Sequence, residues 1–574
     1  MTELEYAARA VTISDQPIAA QIWGQKYQYR TNDIALDVTI EDTWARVGDG
    51  LALAEVPSDQ RAIAALFRAA MRDYKLIPAG RILAGAGTAR NVTLSNTFVM
   101  RTIPDSVDGI MDTLKDAALT MQMGGGVGFD FSTIRPAGMV VRGLDCPAAG
   151  PLAAMDIFDA TCKMIVTGMG RGAMMATMRC DHPDIEAFIT AKADRTRLRN
   201  FNLSVMVSDA FMGAVRSDQN WDLVWDGAVV RTLKAQALWN TIMQQTYRAA
   251  EPGVLFIDRI NDANPLKYRE VISATNSCAE QPLPPNGTCP LASVNLSRLV
   301  RDPFGAHARL DMDELRHLVT VAVRLLDNTL DVSKFALGAQ WQQAQDQRRI
   351  GIGVTGVANA IAMLGARYGS SKAVTLLGSW MQTIQNAAYL ASAELAAERG
   401  TFPQYDAAQH LQLPGIRALN PDVRAAVVRH GLRNGALTTI APTGTISMLA
   451  GNVSSGIEPI FSTSFMRVIT GADGKRHKER VMDYAAWAHA QMFGPNAPLP
   501  ESFVTAADLT PHDHVAMQAA AQKWVDSGIS KTVNCPEDIP FAAFQGIYQS
   551  AYDAGCKGCT TYRPNDVTGS VLSL

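Results

Sequence analysis

From residue 78 onward the chain keeps returning to one unit: a short apolar run, a glycine-rich turn and a helix-patterned stretch. TLSNTFVM (93–100) is followed by DSVDGIMDTLKDAALTMQM (105–123) and GGGVGFDFS (124–132). PLAAMDIFDATCKMIVTG (151–168) leads into GRGAMMATMRC (170–180). Such alternation argues for an α/β architecture. Residues 1–75 read differently, as a small helical region. Apolar residues fall at helical spacing over 40–54, and 58–74 reads as an amphipathic helix with Ser58 as its N-cap. There is no internal repeat, low-complexity tract, heptad pattern or Pro/Ser-rich linker, so 76–574 reads as one large domain.

Composition narrows the class. With 574 residues, 47% of them hydrophobic, a large core is expected. A net charge of −3 gives no reason to expect nucleic-acid binding. Eight cysteines are too few for a disulfide scaffold of this length, which points to buried or catalytic thiols in a reducing compartment. The first residues, MTELEYAARAVTISDQP, lack the basic start and apolar run of a secretory signal. No run of 18 apolar residues suggests a membrane span. The expectation is a cytoplasmic enzyme.

The segment TNSCAEQPLPPNGTCPLASVNL (275–296) carries the most chemistry. Asn276, Cys278 and Glu280 alternate, and an extended chain would put all three on one face. A thiol flanked by a carboxylate and a carboxamide could handle an adjacent pair of hydroxyls. Cys289 follows after a proline-rich excursion. A polar loop with two buried cysteines is the alternative reading of the spacing alone.

This segment resembles the finger-loop signature of ribonucleotide reductases of the adenosylcobalamin-dependent kind, N-P-C-G-E-Q-P-L followed by a second cysteine and G-S-I-N-L. Asn276, Cys278, Glu280, Gln281, Pro282, Leu283, Cys289 and residues 293–296 match. Ser277 and Ala279 replace the proline and glycine. GRILAGAGT (80–88), GGGVGFDFSTIRP (124–136), CDHPDIEAFI (180–189), NFNLSV (200–205), RRIGIGVTG (348–356), APTGTISMLAGNVSSGIEPIFS (441–462) and GCKGCTTYRPN (555–565) look like family blocks in family order. The resemblance implies a ten-stranded α/β barrel around a central finger loop, preceded by the helical region.

It also implies roles. Cys278 becomes a thiyl radical that takes the ribose 3′-hydrogen, Glu280 serves as general base, and Asn276 holds the substrate hydroxyls. Thr443, Gly444, Thr445 and Ser447 contact the substrate diphosphate, and Asn96, Thr97 and Gly126 complete the substrate site. Asp105, Arg135, Arg142 and Arg171 serve a deoxynucleoside triphosphate effector at a dimer interface. The family draws two electrons from a cysteine pair. Cys289 matches one member, but the other position is Thr97. Cys180 is the first candidate replacement, then Cys559 and Cys162, with an external reductant or lost turnover as alternatives.

Thr561 before Tyr562 breaks the tyrosine pair of the iron-dependent relatives. Cys556 and Cys559 alone do not make the zinc site of the glycyl-radical relatives. That leaves adenosylcobalamin, with no cobalt-ligating histidine motif and no protein-held metal expected. Cys556 and Cys559 are either a tail thiol pair or part of a fixed last strand. With so little sequence before the barrel, no separate overall-activity module is expected. Implied partners are a ribonucleoside diphosphate, the effector, a thioredoxin-like or small-thiol reductant and a second copy of the chain. A silent nucleotide-binding paralogue that keeps the fold is the alternative function.

Overall fold

The computed structural model describes residues 16–565 except 33, 142, 168–169, 195 and 471–475. Two helices dominate the N-terminal region, α1 (Ile40–Ala52) and α2 (Gln60–Met71). Thr39 caps α1 in a capping box with Asp42, which satisfies two free N–H groups at the helix start. The N-cap of α2 is Asp59 rather than Ser58, whose hydroxyl instead donates to Asp59 Oδ1. The helix stops at Met71, before a tight turn in which Asp73 and Tyr74 adopt positive φ. Val47, Leu51, Phe67 and Met71 bury the inner faces of both helices against the long helix α5 (Met312–Val332), which packs in turn on α6 (Ser371–Arg399).

The strands that build the barrel region, in chain order, are β1 (Leu76–Pro78), β2 (Thr97–Val99), β3 (Gly126–Asp130), β4 (Met174–Arg179), β5 (Phe201–Val207), β6 (Gly253–Phe256), β7 (Thr288–Cys289), β8 (Leu291–Asn295), β9 (Gly351–Thr355), β10 (Thr532–Asn534) and β11 (Gly558–Tyr562). The main sheet has eight strands in the order β7-β2-β3-β4-β5-β6-β11-β10. Its centre, β2 through β6, is parallel, as helical crossovers such as α3 (Val107–Gln122) and α4 (Pro151–Met164) require. A second sheet, β9-β8-β1, lies beside it. Only single bridges, Ile352 with Thr438 and Ile440 with Ile529, extend the pairing through the 438–440 segment. Among the described residues the ladders therefore form an eight-stranded and a three-stranded sheet, not the continuous ten-stranded ring expected from the sequence. The segment that would close such a ring is too short to make a ladder.

Parity along each strand sorts the side chains. Phe98, Val127, Phe129, Ala176, Met178, Leu203, Val205, Val254 and Phe256 point outward into a core shared with the crossover helices. Phe129, Phe131, Phe158 and Phe201 form edge-on or tilted ring pairs there, with centroids 5.0–6.2 Å apart. The opposite parity, including Val99, Cys289 and Leu291, faces the interior. No helix among the described residues is long and apolar enough to cross a membrane.

Candidate active site

The 275–283 segment is a hairpin, not an extended strand. Ala274 pairs with Leu283 and Thr275 with Pro282, and residues 276–281 form the tip. The tip closes on itself: Asn276 N–H donates to Gln281 O (3.2 Å), Gln281 N–H to Asn276 Oδ1 (2.9 Å) and Ala279 N–H to Asn276 O (3.1 Å). Ala279 sits at φ 65°, the left-handed region where glycine is preferred.

Four elements hold the tip inside the protein. Asn202 on β5 donates to Ser277 O at 2.7 Å. Thr439 Oγ1 and the Gly528 N–H both donate to Glu280 O, at 2.8 and 2.9 Å. On β3, a Cβ added at Gly128 would fall 1.8 Å from Thr275 O, so only glycine lets the hairpin backbone lie this close.

Cys278 projects from this tip into open space. Two cavities meet there, with only Ser277, Cys278 and Pro442 bordering both. One, of about 300 Å³, is lined by Lys26, Arg81, Asn96, Thr97, Asn276, Glu280 and the 443–445 turn. The other, of about 360 Å³, is lined by Met175, Asn202, Gln518, Lys531 and Tyr562 among others.

The Cys278 thiol is exposed to both cavities. Burial, then the neighbouring Glu280, pushes its pKa up to about 12, so the sulfur carries its hydrogen at neutral pH. Such a thiol is suited to giving and taking a hydrogen atom rather than to nucleophilic attack by a thiolate. Glu280 is fully enclosed. Burial raises its pKa to about 7, against the opposing hydrogen bond from Asn276, and its Oε2 has no hydrogen-bond partner among the described residues. A carboxyl poised near neutrality, with an unused oxygen beside a cavity, can accept a proton from a bound hydroxyl.

Other expected site residues divide. Asn96, Thr97, Thr443, Gly444 and Thr445 line the same cavity as the trio. Ser447 turns away: it is buried, and its hydroxyl bonds Gly444 O and Ser455 Oγ, both at 3.0 Å. It braces the turn instead of facing the cavity. Gly126 pairs with Thr97 across β2 and β3 and supports the wall without lining it.

Asp105 and Arg135, expected to meet different parts of an effector, bind each other. Arg135 Nε and N–H donate to the Asp105 carboxylate at 2.8 and 3.0 Å. Arg142 and the side chain of Arg171 lie outside the described residues.

The cysteine pairing needs correction. Thr97 and Cys289 are direct cross-strand partners of β2 and β7, and Thr97 Oγ1 donates to Cys289 O at 2.7 Å. Cys180 cannot take Thr97's place. It lies about seven residues, roughly 23 Å of strand, beyond the level of Thr97, and its side chain is in the outer core. Cys162 and Cys559 also belong to that outer core. Cys556 and Cys559 are both buried, Cys559 within β11, so they are part of a fixed strand region.

Because opposed Cα atoms in such a ladder lie about 5.5 Å apart, within disulfide range, Thr97→Cys is expected to form a disulfide with Cys289 on mild oxidation. Thiol titration of the denatured protein, before and after oxidant, should show two thiols lost relative to the parent. No loss would contradict the β2–β7 register.

Lys26 and Arg81 in the cavity wall were not singled out from the sequence. Arg81 stands in the GRILAGAGT block, but nothing local shows where its side chain goes.

Comparison with known proteins fits this geometry. Residues 95–562 match the model of the ribonucleotide reductase barrel domain, and residues 14–91 that of the ribonucleotide reductase all-alpha domain. A protein of Mycobacterium tuberculosis named vitamin B12-dependent ribonucleoside-diphosphate reductase is 37% identical over 90% of this chain and 74% of its own length. One of the same name from Thermoplasma acidophilum is 36% identical over 88% and 66%. A ribonucleoside-diphosphate reductase subunit alpha from Chlamydia pneumoniae is 25% identical over 91% and 56%. With the thiol-tipped hairpin at its centre and these matches along most of its length, the chain belongs to the ribonucleotide reductase family.

Proposed function

We propose that this protein reduces ribonucleoside diphosphates to 2′-deoxyribonucleoside diphosphates with adenosylcobalamin as its radical source. The observation that carries this reading is the single thiol at the junction of two cavities, flanked on one side by Asn276 and Glu280. The cavity holding that pair suits the nucleotide, with the sugar at Cys278 and the phosphates toward the 443–445 turn. The other cavity, bounded by Met175, Asn202 and Tyr562, gives access to the same sulfur from the opposite side, and its mostly apolar wall fits the cofactor's nucleoside group. The bound cofactor would supply a carbon-centred radical equivalent.

The chain's own residues do the rest. Cys278 yields its hydrogen, then as a thiyl takes the ribose 3′-hydrogen. Sulfur–hydrogen and sugar carbon–hydrogen bonds are close enough in strength for the transfer to reverse. Glu280 removes the 3′-OH proton, and Asn276 orients the hydroxyls. Loss of the 2′-OH as water then consumes two electrons and two protons. With Thr97 opposite it, Cys289 can supply one thiol; the second comes from a small thiol or a thioredoxin-like protein, and the two sulfurs end as a disulfide. The free cysteines fit a reducing cytoplasm. An intact trio facing an open cavity favours turnover over a silent paralogue.

A homodimer with a deoxynucleotide effector at its interface fits the surface. Val107, Met111 and Leu119 on α3 and Ile157 and Met164 on α4 are exposed, an apolar face on two packed helices. Asp105 and Arg135 lie just before and after α3 and β3, so an effector there would have to exchange with their ion pair.

The test is direct. Protein, adenosylcobalamin, dithiothreitol and each ribonucleoside diphosphate are incubated, with triphosphates in parallel, and deoxynucleotide is quantified. Absence of product from every substrate would reject the reading. Glu280 adds a pH signature. Its base form is the minor form below pH 7, so kcat/KM should rise with pH to a half-maximum near 7. Glu280→Gln should lower the rate by about 10²–10⁴-fold and abolish that rise. A wild-type profile flat from pH 6 to 8 would remove Glu280 as the base.

A further inference from the structure

We propose that Arg81, assisted by Lys26, is the cationic half of the nucleotide's diphosphate site and makes binding depend on phosphate charge. The inference rests on the function proposed above and adds residues from outside the 443–445 turn.

Arg81 begins the short helix Gly80–Gly85, and its backbone N–H is held by Asn96 Oδ1 at 3.3 Å. Its guanidinium is partly enclosed, yet it makes no hydrogen bond or ion pair with any described residue. Other enclosed arginines are paired: Arg46 with Asp37, Arg348 with Asp327 and Asp331, Arg349 with Glu270. A guanidinium removed from water without a partner is costly, which is why such groups are normally matched. Arg81 is a standing exception, and it borders the cavity that holds Cys278 and Glu280.

Its position is built. A Cβ added at Gly124, which has φ +99°, would lie 2.8 Å from Arg81 Cζ, so the glycine turn leaves room for the guanidinium against the backbone. Lys26, half-buried and likewise without a hydrogen-bond or ion-pair partner among the described residues, borders the same cavity. Opposite stands the 443–445 turn. Thr443 Oγ1 accepts from Gly456 N–H (2.8 Å) and touches Thr355 Oγ1 (3.0 Å), which stiffens it, while the Thr445 hydroxyl has no partner among the described residues. The carboxyl in this cavity, Glu280, is half-neutral near pH 7, and no other described residue on its wall offsets two cations.

A planar fork of donors beside a lysine and a free hydroxyl matches the oxygens of a diphosphate better than a single carboxylate. Nucleosides without phosphate, and monophosphates to a lesser degree, should therefore bind weakly.

The experiment measures binding apart from turnover. Arg81→Gln should raise the Kd for ADP and CDP by about 10- to 100-fold at low salt and raise KM in parallel, with kcat changed less than about threefold. Arg81→Lys should recover part of the loss. Inorganic pyrophosphate should compete with ADP on the wild type and lose that competition in Arg81→Gln. Thermal melting establishes that the variant is folded. An unchanged Kd in folded Arg81→Gln overturns the proposal. If that variant does not fold, Lys26→Gln and the wild-type competition decide: the proposal stands if pyrophosphate competes and Lys26→Gln weakens binding, and falls if either fails. Should no deoxynucleotide be formed while Arg81→Gln still loses diphosphate binding, the reductase reading fails and this site remains.

Discussion

Cys278→Ala should produce no measurable deoxynucleotide while still folding and binding nucleotide. Among the described residues the sulfur's only hydrogen-bonding neighbour is Ser277 Oγ at 3.8 Å, and the hairpin is held by backbone and Asn202 contacts that alanine leaves intact. Nothing in the packing therefore depends on the thiol. The chemistry does: no other described cysteine borders both cavities, and the thiol, its pKa raised, keeps its hydrogen at neutral pH. We expect a loss beyond about 10⁴-fold, more than 5 kcal/mol in barrier, with the Kd for ADP within about twofold. Cys278→Ser should be equally inactive, because an O–H bond is too strong to be formed and broken reversibly against a sugar C–H. Retention of even about 1% of the wild-type rate by either variant would take the radical off this residue.

The largest stability effect is expected at Asp327, far from the site on α5. Its carboxylate is wholly buried and accepts from Arg348 Nε (2.8 Å), Asn434 Nδ2 (3.0 Å), Arg433 Nε (3.3 Å) and Arg399 Nη1 (3.4 Å). Asp327→Ala would leave several cationic or polar donors enclosed without their shared acceptor. Breaking such a pair from one side costs about 3–5 kcal/mol. In a chain of this size, unfolding as one unit, that is a shift of only about 3–4 °C in Tm, so the denaturant midpoint is the better readout. Asp327→Asn, which keeps one acceptor, should fall between. A midpoint equal to wild type for Asp327→Ala would show that water or Asp331 takes over the cluster.

Much of the site was legible residue by residue. Asn276, Cys278 and Glu280 stand out because their types and spacing are chemically specific, and they do meet at one cavity. They meet, however, through a hairpin tip with Ala279 in the left-handed region rather than along an extended face. The 443–445 turn was legible in the same way. Ser447 was not separable from it, because whether a side chain one helical turn on faces the cavity or the core is a matter of packing.

The local pattern alone gave the alternation of strands and helices, the helical entry region and the grouping of Asn276, Cys278 and Glu280, since each is written within a few neighbouring residues. Tertiary pairing decided the rest. The sequence offers Cys180 as a partner for Cys289, but strand parity and the register of β2, β3 and β4 send one outward and the other inward. Asp105 binds Arg135, and Arg81 reaches the cavity, through contacts between segments 30 or more residues apart or between separate elements. Side-chain alternation along a strand follows from backbone geometry, whereas which face becomes the interior, and at what level two strands meet, is set only when the whole sheet assembles.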